Sequence, residues 1–68
     1  MGGSLGRNLR RVREQRDLTQ EKVADRSGVH ATEVSRFEAG KRDPRVSTLE
    51  RLAEALEVSP GELLQENS

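Results

Sequence analysis

Every apolar stretch in this chain is short and helically spaced, and each is cut off by glycine, proline or a small polar residue, so short helices are the units it can build. Leu5, Leu9 and Val12 recur at i, i+4 and i+7, one stripe on a first helix ending near Arg16. Its basic last turn suits the helix dipole. Thr19 is a good N-cap for a second helix, with Glu21 in its first turn, Val23 and Ala24 turned inward, and Gly28 as its stop. A third helix follows Val29 and His30, carries Val34 and Phe37, and ends at Gly40, the expected left-handed residue. Asp43-Pro44 breaks the chain again. Ser47-Thr48-Leu49-Glu50 reads as a capping box for a fourth helix, whose apolar face is Leu49, Leu52, Ala53 and Leu56. Ser59-Pro60-Gly61-Glu62 repeats the device for a fifth, with Leu63 and Leu64 behind it. No stretch alternates as a strand would. The expected architecture is all-α, five helices in one domain over residues 5–66, with a flexible leader at 1–4 and a tail at 67–68.

A chain of 68 residues buries only about 60% of its unfolded surface, so its core is marginal. With no cysteine and one histidine, neither disulfides nor a thiolate or multi-histidine metal site can reinforce it. Helix packing must do so. No apolar run approaches the roughly 18 residues of a membrane span, and no charged-then-apolar leader is present, which leads us to expect a cytoplasmic protein. An enzyme is not expected, for want of a nucleophile with its base, a phosphate-loop glycine pattern or a metal cluster, and no cofactor or metal is expected either.

The net charge of zero conceals a polarised chain. Residues 1–45 hold eleven Arg and Lys against seven Asp and Glu, an excess of four, whereas residues 46–68 set Arg51 alone against five Glu, a deficit of four. A local basic surface is therefore available to an anionic partner.

Two short helices joined through a glycine-containing turn, the second with small and polar residues outside, make a helix-turn-helix whose second helix fits a major groove. The run Leu18-Thr19-Gln20, Val23-Ala24, Gly28-Val29, Val34 through Arg42, Pro44, Leu49, Leu52-Ala53, Leu56 and Val58 resembles, without a gap, the Cro/repressor-type (XRE) helix-turn-helix family. The resemblance covers Leu5 to about Leu64. Lys22-Val23 stands where Glu-Leu is commoner, and His30 where Ser or Thr usually caps the recognition helix.

The resemblance implies a lambda-repressor-like five-helix bundle and a prokaryotic or phage-encoded, nucleoid-associated regulator. A recognition helix at about 31–39 would enter the major groove, with Ala31, Thr32, Ser35 and Arg36 against base edges. Arg36 can bond O6 and N7 of guanine, and Ala31 and the Thr32 methyl suit a thymine methyl. Phosphate contacts are expected from Thr19, from Gln20 in the first turn of the second helix, from His30 as cap of the third, and from Lys41, Arg42 and Arg45 in the following loop. Arg7, Arg10, Arg11 and Arg16 would extend the basic surface or remain solvated. In the family pattern Arg13 and Glu38 form a partly buried ion pair. Phe37, the sole aromatic, is expected in the core, which argues against single-strand binding by stacking.

One recognition helix reads few base pairs, so a homodimer on a palindromic double-stranded operator is expected, with the acidic, leucine-rich Leu56–Leu64 region as its interface. The competing reading is an antitoxin or bridging factor that uses the same fold to dock a protein.

Overall fold

A computed structural model of the chain describes residues 2–65. Five helices follow in order: α1 (Gly2–Gln15), α2 (Gln20–Ser27), α3 (Ala31–Glu38), α4 (Val46–Leu56) and α5 (Pro60–Leu64). Among the described residues no strand occurs. The all-helical expectation holds, and α3 lies between α1 and α2, while α4 packs on α2 and α5 closes against α1 and α4.

The apolar stripes converge on one core. Leu5, Leu9 and Val12 of α1 meet Val23, Val34, Phe37, Leu49, Leu52, Ala53, Leu56 and Leu63, with Leu18, Ala24, Val29 and Val58 leaning on the rim. Leu9, Leu52, Leu56 and Leu63 are fully buried. Each such side chain contributes about 1.5–3 kcal/mol relative to exposure, which is how a small chain reaches a stable state without a covalent brace. One polar side chain joins them: Asn8 is fully buried, and its Nδ2 donates to the carbonyls of Leu63, at 2.9 Å, and Gln65. It ties α1 to the end of α5.

Helix ends are set by local chemistry. Thr19 accepts from the Lys22 amide at 3.0 Å, as its capping role requires. Gly28 takes φ of 76° and bonds back to Ala24, so the α2–α3 connection needs only three residues. Gly40, with φ of 74°, ends α3 in a Schellman arrangement in which the Lys41 amide reaches Arg36 and the Gly40 amide reaches Phe37. Asp17 and Glu57 occupy the equivalent left-handed positions after α1 and α4.

Two boundaries differ from the sequence reading. α1 begins at Gly2, so residues 2–4, expected as leader, form its first turn. Once Leu5 and Leu9 are docked, each added residue gains a hydrogen bond without a new nucleation cost. Met1, Glu66 and the tail at 67–68 lie outside the described residues. The Ser47–Glu50 capping box does not form: α4 starts at Val46, with Arg45 as N-cap and no side-chain cap bond. Pro44 keeps the preceding backbone extended, and the helix then starts at once, with the Leu49 amide bonding Arg45 at 2.8 Å. The Ser59–Glu62 box does form, with Glu62 Oε1 3.4 Å from the Ser59 amide.

The α1–α3 contact depends on Gly6, which is buried. A Cβ at that position would stand 2.5 Å from the Phe37 carbonyl oxygen and 2.7 Å from that of Glu38. Helix propensity alone would make Gly6→Ala stabilising by about 1 kcal/mol. The opposing atoms are backbone oxygens of another helix and cannot swing aside, so overpacking wins. Gly6→Ala is expected to destabilise the domain by about 1–3 kcal/mol in chemical denaturation, and a variant as stable as the parent would refute the close approach.

Candidate nucleic-acid interface

Val34 and Phe37 pin α3 to the core, with 0% and 4% exposure. Thr32, Ser35, Arg36 and Ala39 fall at i, i+3, i+4 and i+7, and all four are exposed, whereas Ala31 is half-buried at the helix start. The expected outward face is therefore present. His30 occupies the N-cap position with extended backbone, but its side chain makes no cap bond, a correction to its expected role. A bulky ring does not fold back onto the first-turn amides as a short Ser or Asp side chain does.

Arg13 and Glu38 meet as a bidentate pair. Arg13 Nε stands 2.6 Å from Glu38 Oε2 and Nη2 stands 3.1 Å from Oε1, with the side chains 13% and 4% exposed. Arg13 Nη1 also donates to the Leu18 carbonyl at 2.8 Å. The hydrogen bond to Glu38 raises the Arg13 guanidinium further above its ordinary value, outweighing burial, which lowers it; the negative charges of Glu38 and Glu14 add to the rise. Gln20 completes the group, its Nε2 donating to Glu38 Oε1 at 3.1 Å. The half-buried Gln20 side chain is thus turned toward Glu38, while its residue opens α2. A shallow groove over this cluster is lined by Arg10, Gln20, Ser35 and Ala39.

The expected phosphate-binding residues fall into two groups. Thr19 and Gln20 sit at the start of α2. His30, Arg42 and Arg45 line a groove of about 290 Å³ between α3 and α4, together with Glu33, Asp43, Thr48 and Arg51. Lys41 is exposed on the same connecting segment but does not line that groove. Arg51 was not anticipated; its signal was being the one basic residue of the otherwise acidic 46–68 stretch. Arg7 and Arg16 are exposed, Arg11 is half-buried, and Arg10 pairs with Glu14 at 3.2 Å on the surface of α1. Glu33 stands 3.4 Å from Arg36 and 3.5 Å from Arg42, sharing one carboxylate oxygen between them. Among the described residues no cluster of three or more His, Cys, Asp or Glu could hold a metal, and no helix is long and apolar enough to cross a membrane.

The helix-turn-helix family profile matches residues 9–63. The chain is 48% identical over 56 residues to the transcriptional repressor RghR of Bacillus subtilis, covering 81% of this chain and 42% of that protein. It is 47% identical over 60 residues to the HTH-type transcriptional regulator y4dJ of Sinorhizobium fredii, covering 88% and 78%. The chain thus spans less than half the length of RghR and most of y4dJ. Among solved structures, the restriction-modification controller protein C.AhdI of Aeromonas hydrophila superposes with a TM-score of 0.89 at 34% identity, covering 91% of this chain and 94% of that one.

The buried pair generates a direct test. Removing one partner strands the other charge away from water, at a cost of about 3–5 kcal/mol. In a domain this small each kcal/mol is worth roughly 4–8 °C, so Glu38→Ala is expected to lower the thermal midpoint by more than about 12 °C, or to prevent folding. Equal midpoints for variant and parent, followed by circular dichroism, would remove the pair from any structural role.

Proposed function

This chain belongs to the helix-turn-helix family of DNA-binding transcriptional regulators, and on that premise we propose that it is a repressor-type regulator whose α3 enters the major groove of a palindromic operator. The observation that carries the reading is the outward row of Thr32, Ser35 and Arg36 above a firmly buried Val34 and Phe37. Arg36 offers a planar fork of donors to O6 and N7 of guanine, and the Ala31 and Thr32 methyl groups suit a thymine methyl. Thr19 and Gln20 at the start of α2 grip phosphate on one side, and His30, Lys41, Arg42 and Arg45 grip it on the other, with Arg51 behind them. Relatives named as a repressor and as a restriction-modification controller support this reading over an antitoxin or bridging role. The protein acts at the nucleoid in the cytoplasm.

Affinity for an operator selected from random duplexes is expected to fall about a thousandfold or more between about 50 and 200 mM salt, because bound phosphates release counterions. Salt-independent binding, or none to any duplex, would defeat the reading.

The regulator acts as a homodimer, since one α3 reads too few base pairs and two-fold proteins of this geometry span half-sites about 34–36 Å apart. Within the Leu56–Leu64 region, Leu56 and Leu63 belong to the core, and Leu64 is 54% exposed. Val46 is 73% exposed and lines, with Leu64, Leu5, Pro44, Leu49 and Asp43, one largely apolar groove. This face is the dimer contact in the proposed assembly, the same patch on both subunits. Val46→Asp with Leu64→Asp is expected to leave the monomer folded and abolish dimerisation in sedimentation equilibrium. An undiminished dimer in that variant, or a parent that is monomeric at operator-binding concentrations, would contradict it.

A further inference from the structure

We propose that Glu33 is a specificity-determining residue, which acts by holding Arg36 so that this base-reading arginine is not available to an arbitrary phosphate. The inference rests on the DNA-binding reading above and adds to it a residue that touches no base. Glu33 lies in the first turn of α3, three positions before Arg36. Its Oε2 stands 3.4 Å from Nη1 of Arg36 and 3.5 Å from Nη1 of Arg42. Both arginine side chains are more than half exposed, at 52% and 60%, whereas Glu33 is only 27% exposed. The carboxylate is the withdrawn partner, held along the groove between α3 and α4, and the guanidinium groups are the ones presented to solvent.

Exposed ion pairs of this kind contribute little to stability, so the arrangement is not accounted for by folding. Its effect on binding is asymmetric. A phosphate approaching Arg36 must displace a carboxylate already in place, and it brings a second negative charge beside Glu33. A guanine edge presents neutral acceptors. The Arg36 guanidinium has five N–H donors, so it can meet O6 and N7 while one donor stays with Glu33. Side chains on a helix lean toward its N-terminus, which sets Arg36 back over Glu33 and toward the end of α3 that enters the groove. Glu33 therefore penalises the contact that every duplex offers and spares the contact that only the right base pair offers, which is discrimination by repulsion.

The test compares Glu33→Gln and Glu33→Asp with the parent, each bound to the selected operator and to an unrelated duplex over a range of salt. Glutamine keeps the volume and loses the charge; aspartate keeps the charge and loses the reach. Both variants are expected to retain the parental thermal midpoint. In both, the operator-to-unrelated affinity ratio is expected to shrink by about tenfold, with the unrelated duplex gaining most and its log affinity falling more steeply with log salt by about one unit. An unchanged ratio in Glu33→Gln overturns the proposal, as does a parental ratio in Glu33→Asp, which would reduce Glu33 to a general repulsive charge. A parent that binds no duplex at all fails earlier, and sinks the DNA-binding reading itself.

Discussion

Three of the five helices are tied together by a single carboxylate. Both oxygens of Glu38 on α3 are occupied, by Nε and Nη2 of Arg13 from α1 and by Nε2 of Gln20 from α2, and Arg13 spends a further donor on the Leu18 carbonyl in the turn between those helices. A buried ion pair is poor evidence of net stability, because desolvation offsets much of its attraction. Its value here is orientational. Residues on a helix are separated by fixed angles, so holding Glu38 inward sets the rotation of α3 about its own axis, and the outward row from Thr32 to Ala39 follows from that setting.

Rotation alone does not place a helix. The depth at which α3 sits against α1 is fixed at Gly6, where the absence of a side chain lets two carbonyls of α3 approach the α1 backbone. Asn8 performs a related service at the far end, holding the closing carbonyls of α5 so that Leu63 stays in the core. α1 thus acts as the frame on which the recognition and closing helices are both hung.

The fold was legible because it is built from local signals. The i, i+4 leucines, the Thr19 cap, the left-handed glycines and the Ser59–Glu62 box each specify an element within a few residues, and each is found in place. What failed locally failed by competition. Ser47 has the chemistry of a cap, but Pro44 and the position of Leu49 let the helix begin two residues earlier, at Val46. His30 stands where a cap belongs but lacks the side chain for it. The features that escaped the sequence altogether are tertiary: Gly6 is one glycine among six, Asn8 is one polar residue beside a leucine stripe, and nothing in Glu33 or Arg51 announces the neighbours that the α3–α4 approach gives them. The outward face of α3 was readable by periodicity, while the exposed apolar patch at Val46 and Leu64 was not, because neighbouring leucines such as Leu63 and Leu64 divide between core and surface only once α5 is docked.

The close approach at Gly6 separates two kinds of evolutionary freedom. α3 is held by its own backbone carbonyls, by Val34 and Phe37, and by Glu38, none of which lies among the exposed residues that would read a base pair. Substitution at Thr32, Ser35 or Arg36 leaves that attachment intact. On the proposed reading, a lineage can therefore rewrite which sequence is bound without renegotiating the fold.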